Sequence, residues 1–258
     1  MRKMRLHSKN IFLLIVLPFM LFSCASRKKI VYLQDIESAQ SYQSPTTYEP
    51  TLQPDDLLSI IISAENPEVT VPFNLPQIQG NYEINNNQNG IKTYLIDSEG
   101  VIEFPVLGKI KLGGLTRSEA NKKLTTLVSE YVKNPGINLR ILNYKISVLG
   151  EVAKPGSYTI PGERITVLEA LGLAGDLSVY GKRNNILVIH EEDGKRTFNR
   201  IDITNSAFLN SPSYYLSQND IVVVEPNKTK INASVIGPNT SVILTGLTVL
   251  ITLLIFFK

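Results

Sequence analysis

Cysteine is nearly missing. The 258 residues contain one, Cys24, so neither a disulfide framework nor a thiolate metal site can be assembled. Histidine is almost as scarce, with His7 and His190 alone. Because His7 falls in a segment with the marks of a cleaved leader, one imidazole remains, which makes a serine triad or a histidine metal cluster hard to build. His190 ends an expected strand, where a surface or hydrogen-bonded role is the ordinary one. No glycine-rich stretch leads into Lys-Ser or Lys-Thr, so no nucleotide site is visible. The carboxylate groups Asp55-Asp56 and Glu191-Glu192-Asp193 both sit in expected turns, and spacing alone does not make them a facing pair of the kind a glycosidase needs. The expectation is a protein that is not an enzyme and binds neither cofactor nor metal.

A lasting excess of positive charge is also missing. The formal charge is +3, but Arg2, Lys3, Arg5 and Lys9 all precede the apolar run Ile11 to Phe22, which reads as the hydrophobic region of a signal peptide. Removing residues 1–23 takes away four cations and no anion, and the charge becomes about −1. Nucleic acid is therefore not an expected partner, since phosphate binding needs a clustered cationic face. Cys24 follows Leu21-Phe22-Ser23 directly. That position is either an incidental thiol after a leader or, as the residues resemble a bacterial lipobox, the acylated first residue of a lipoprotein. By the same resemblance, Ala25 at the next position is not the aspartate that signals inner-membrane retention.

What is present is a chain of short strands and two short helices. Residues 24–50, rich in Ser, Gln and Thr, read as a flexible tether, because they bury too little to offset chain entropy. Order is expected from Leu52, with the apolar run at 57–62 buried on both faces. Residues 64–92, with Pro67, Pro72, Pro76 and Asn85-Asn86-Asn87, form an interruption that is either functional or loosely ordered. A hairpin is expected from 94–96 and 101–104 about Asp97-Ser98-Glu99-Gly100, then a strand at 108–112. Thr116-Arg117-Ser118-Glu119 is a capping box opening an amphipathic helix over 117–132.

The same grammar returns at Thr166-Val167-Leu168-Glu169, opening a helix over 167–174. Around it lie the hairpin 146–160 with its Lys154-Pro155-Gly156 turn, strands at 185–190 and 196–202, and the strand 221–224. The class is α+β, with two small β-rich modules carrying packed helices. Residues 227–239 read as a linker. The last stretch, 240–258, is apolar apart from hydroxyls and one terminal charge. It reads as a transmembrane helix, with Ser241, Thr245, Thr248 and Thr252 forming a polar stripe suited to helix association or a wet lumen.

Taken in order, these motifs resemble the Wza-like outer-membrane polysaccharide export lipoproteins, in the shorter form found among Bacteroidetes. Residues 51–142 resemble the polysaccharide export sequence domain through Leu52-Gln53-Pro54-Asp55-Asp56, Phe104-Pro105-Val106-Leu107-Gly108 and Gly114-Leu115-Thr116 with its helix start. Residues 143–226 resemble the soluble-ligand-binding (SLBB) β-grasp domain through Val148-Leu149-Gly150-Glu151-Val152, Ala174-Gly175-Asp176 and Asn219-Asp220-Ile221. The resemblance implies a homo-oligomeric ring that passes capsular polysaccharide or exopolysaccharide. It also implies polysaccharide transmembrane transporter activity, an inner-membrane polysaccharide co-polymerase as partner, and a C-terminal helix crossing the outer membrane beside the lipid on Cys24. The alternative is a lipid-anchored periplasmic scaffold or glycan-binding module that does not conduct. Gly150, Pro155 and Gly156 are expected to serve turn geometry and subunit packing.

Overall fold

The computed structural model describes residues 30–38, 48–75, 93–192, 194–235 and 239–256. It holds two β-rich modules, each with one helix on its core and each with a separate cluster of buried apolar side chains.

In the first module, β1 (Leu57–Ser63) lies between β2 (Tyr94–Leu95) and β5 (Gly136–Ile141), antiparallel to both. Period-2 alternation places Leu58, Ile60 and Ile62 in the core. Ile61 is 54% exposed although Ser59 on the same face is buried, so burial of this run on both faces does not hold; its length matched a buried strand, but the second face of β1 is covered only in part. The expected hairpin is also rearranged. β2 pairs with β1, whereas β3 (Val101–Phe104) pairs with β4 (Gly108–Lys111). The Asp97 turn is retained, with its carboxylate accepting from the amides of Glu99 and Val101, but it changes sheets rather than closing one.

Helix α1 (Arg117–Val128) begins with the expected capping box. Thr116 Oγ1 accepts from the Glu119 amide, and Glu119 accepts from the Thr116 amide at 2.8 Å. Ala120, Leu124 and Val128 face the core, and the helix ends at Val128 rather than at 132, leaving Tyr131 beyond it and exposed. The first part of the 64–92 interruption is well placed. Pro67–Phe73 forms a 3-10 turn, and the Asn74 amide both accepts from and donates to the Ile62 backbone at 2.9 Å, as a neighbouring strand would. Residues 76–92 lie outside the described residues.

The second module is a five-stranded sheet in the order β10-β9-β12-β6-β7. Here β6 is Lys145–Gly150, β7 Gly156–Thr159, β9 Gly181–Glu192, β10 Lys195–Ile201 and β12 Ile221–Pro226. β6 and β12 run parallel; the other neighbours are antiparallel. Helix α2 (Val167–Leu173) covers this core with Val167, Ala170 and Leu171, and β8 (Ile165–Thr166) pairs with β11 (Tyr215–Leu216) beside it. The second capping box forms as the first does, between Thr166 and Glu169. Replacing Thr166 by alanine is expected to cost about 1 kcal/mol, seen as a lower urea midpoint at unchanged slope. An unchanged midpoint would mean that the reciprocal bonds add nothing to the folded state.

The tether is not free throughout. The Leu33 and Gln34 amides donate to the carbonyls of Ile203 and Thr204, and Asp35 accepts from the amide and hydroxyl of Ser206 at 2.7 and 2.8 Å. Tyr32 donates to Asp176 and lies under the Arg183 guanidinium. The reading from composition missed this strap because backbone pairing needs no apolar side chains.

Two helices follow the sheets: α3 (Lys228–Val235), inside the expected linker, and α4 (Asn239–Phe256). The expected C-terminal transmembrane helix is corrected here. Among the described residues, no helix is long and apolar enough to cross a membrane. At 18 residues α4 spans about 27 Å, against roughly 30 Å of hydrocarbon, and its first turn is the polar Asn239-Thr240-Ser241. The transmembrane transporter activity and the membrane-spanning C terminus that the resemblance implied are contradicted by the same finding.

Candidate functional site

The two modules meet along a seam fastened by side-chain amides. Asn143, in the short connection between β5 and β6, accepts from the Leu57 amide at 2.9 Å and donates to the Asp55 carbonyl at 2.8 Å. Gln218 donates to the Asn143 carbonyl and accepts from the Lys145 amide. Between them Asp56 is fully buried, its Oδ2 accepting from the Gln53 amide at 2.9 Å and its Oδ1 without a partner. Burial pushes this carboxyl up to about 6, although the Gln53 amide and Gln218 pull it back.

Beside the seam is a cleft of about 780 Å³, with Arg117 and Arg140 on the first module and Glu163 and Arg164 on the second. Tyr48 and Glu49 of the tether line it as well. Arg117 and Glu163 pair across the opening at 3.0 Å. Glu49 accepts from the amide and hydroxyl of Ser118 at 3.0 and 2.6 Å, at the start of α1, where backbone amides and the helix dipole favour a carboxylate. These contacts hold Glu49 below the usual carboxylate range. Tyr48 stacks on Tyr215 with centroids 4.8 Å apart, and the Arg164 guanidinium lies 5.3 Å from the Tyr215 centroid.

A second, smaller hollow of about 280 Å³ continues behind Tyr48. There His190 Nδ1 is 2.7 Å from Asp220 Oδ1, and Tyr48 and Ser217 share a 2.7 Å hydroxyl contact. Burial lowers the His190 pKa, but the bond to Asp220 and the charges of Asp220 and Glu192 outweigh it, and the net direction is upward. Nε2 faces Glu192 at 3.7 Å, not a serine, so these residues have the parts of a triad without its geometry. No local pattern identifies the partner of His190: Asp220 is thirty residues away and meets it only because β9 and β12 are neighbours.

The remaining candidate residues are dispersed. Cys24 lies outside the described residues. Gly150 ends β6 at φ +90, and a Cβ there would fall 2.1 Å from the Val224 carbonyl oxygen. Pro155 is exposed in the β6–β7 turn, and a Cβ on Gly156 would meet nothing within 4 Å. On α4, the hydroxyls of Thr248 and Thr252 donate to the carbonyls of Thr245 and Thr248 in the same helix; the side chain of Ser241 lies outside the described residues. No group of three or more potential metal ligands occurs among the described residues.

Comparison with known proteins follows the same division. Residues 44–142 match the family described as polysaccharide biosynthesis/export protein, and residues 144–224 match the SLBB domain. The chain is similar to the EPS I polysaccharide export outer membrane protein EpsA of Ralstonia solanacearum, with 31% identity over 193 residues. That alignment covers 72% of this chain and 51% of the relative. The protein of the same name from Ralstonia nicotianae is 27% identical over 193 residues, covering 72% and 50%. The chain spans about half the length of these curated relatives.

Proposed function

The chain belongs to the polysaccharide biosynthesis/export protein family, and from that premise we propose that it serves the export of capsular or extracellular polysaccharide. Copies would assemble into a ring whose domains surround the path of the polymer, held by a lipid on Cys24 and receiving polymer from an inner-membrane co-polymerase. Its role is to guide and hold rather than to cleave. The observation that carries the reading is the succession of the two domains, residues 44–142 followed by 144–224. The direct test is removal of the chain from a cell that displays surface polymer, with electron microscopy of the gently extracted protein. Loss of the polymer together with particles of rotational symmetry is expected. Monomers alone would sink the conduit.

A second reading, a lipid-anchored glycan-binding module that does not conduct, is favoured by the cleft between the modules, which is formed within a single copy. It predicts monomeric particles and the same loss of surface polymer.

A further inference from the structure

Three arginines line the cleft, and they are not equally occupied. Arg117 is engaged by Glu163 at 3.0 Å. The Arg140 side chain, exposed on β5, has no hydrogen bond or ion pair among the described residues, and the Arg164 side chain has only the Tyr215 ring. The two carboxylates of the cleft are already engaged: Glu163 by Arg117, and Glu49 by Ser118. The walls therefore carry two guanidiniums with unspent donors and no unspent anion. A guanidinium presents a planar fork that fits a carboxylate by two parallel bonds. The chain has already seated one carboxylate of its own, Glu49, at the edge of this space.

Size points the same way. At about 780 Å³ the cleft lies toward the upper end of the range for small-molecule sites, roughly 300–1,000 Å³, so it takes more than an isolated carboxylate. Tyr48, half-buried, and the exposed Leu142 and Pro161 contribute apolar surface, whereas Tyr144 is buried beneath them with its hydroxyl donated to the Leu216 carbonyl at 2.5 Å. A ligand with hydroxyls, an apolar ring face and a carboxylate suits these walls better than a compact inorganic anion.

We infer that the cleft between the two modules binds a uronic-acid-type segment of a polysaccharide, with Arg140 and Arg164 receiving its carboxylate groups. The inference rests on the reading of the chain as a polysaccharide-export component and names the chemical class of polymer that this site takes. Both arginines are exposed, so the contacts are screened and the grip is weak. Weak holding is what a polymer in passage requires, since a tight site would stall it.

The test uses the purified full chain and three probes: a galacturonic acid hexamer, the neutral maltohexaose, and inorganic phosphate. The acidic hexamer should bind with an affinity that falls as salt rises, while maltohexaose should show no binding at the same concentration. The double variant Arg140→Gln/Arg164→Gln should weaken binding of the hexamer about tenfold. Arg196→Gln, on β10 outside the cleft, should leave it unchanged. Because both cleft arginines are exposed, the double variant should unfold at the wild-type urea midpoint, which separates lost binding from lost structure. Equal binding of the two hexamers, an unchanged affinity in the double variant, or full displacement by equimolar phosphate would each overturn the assignment. Loss of surface polymer on removing the chain, without uronate binding, overturns the cleft and leaves the export reading standing. Uronate binding by a chain whose removal leaves surface polymer intact does the reverse.

Discussion

Gly150→Val should cost the second module more than about 4 kcal/mol, enough to leave most small domains unfolded. Two faults coincide there. At φ +90 a β-branched residue occupies backbone space that L side chains rarely enter, and its Cβ would stand 2.1 Å from the Val224 carbonyl oxygen. That oxygen already accepts from the Glu151 amide at 2.9 Å, at the end of the parallel β6–β12 pairing in the middle of the sheet. No rotamer relieves a clash between two backbones, so β6 and β12 must part, opening the core between Val148 and Val224. Gly156→Val is the internal control: a Cβ there meets nothing within 4 Å, and a loss below about 1 kcal/mol is expected. Urea unfolding followed by tyrosine circular dichroism reads both. A folded Gly150→Val with a midpoint near wild type would show that the strand end yields, and would refute the close-approach argument.

Asp56→Asn should stabilise the protein at neutral pH, by an amount that shrinks as the solution is acidified. The folded carboxyl titrates at about 6, against about 3.9 in an unfolded chain. The folded state therefore keeps a proton that the unfolded state releases first. The contribution of this group is fully present below about pH 4, declines as pH rises, and is lost once pH passes about 6. Two pKa units correspond to roughly 3 kcal/mol, and a gain of about 1–3 kcal/mol at pH 7.5 allows for relaxation of the seam. Asparagine keeps the acceptor for the Gln53 amide and removes the charge. The difference in unfolding free energy between variant and wild type should grow from near zero at pH 4 to its full value above pH 7. A difference that is flat with pH, or one favouring aspartate at pH 7.5, would reject a strained buried carboxylate.

Legibility in the sequence followed the distance over which each feature is decided. Both capping boxes were readable because all their atoms lie within four consecutive residues, Thr116 to Glu119 and Thr166 to Glu169. The strands of the second module were readable from alternation, and the two-module α+β organisation followed. Pairing was less so: the choice of β1 rather than β3 as the partner of β2 is settled by packing in the first core, which no local pattern records. Asp56 read as a turn residue, and its turn is real; that the other module closes over it depends on Asn143 and Gln218, 87 and 162 positions away. The cleft arginines come from α1, β5 and the connection before β8, and share no spacing. At the C terminus, hydropathy alone suggested a membrane crossing, whereas the polar first turn and 18-residue length of α4 fall short of one.

The docked strap alters how far the folded body can stray from an anchor. Counted to the first strand, a lipid on Cys24 would sit on a leash of about thirty residues, on the order of 100 Å when drawn out. With Tyr32 and Leu33 fixed to the second module, eight steps of chain separate Cys24 from that module, a reach of about 28 Å at most. The mooring then belongs to the second module, although the first comes earlier in the chain. A lipid at Cys24 would hold the SLBB domain within that reach of the membrane surface.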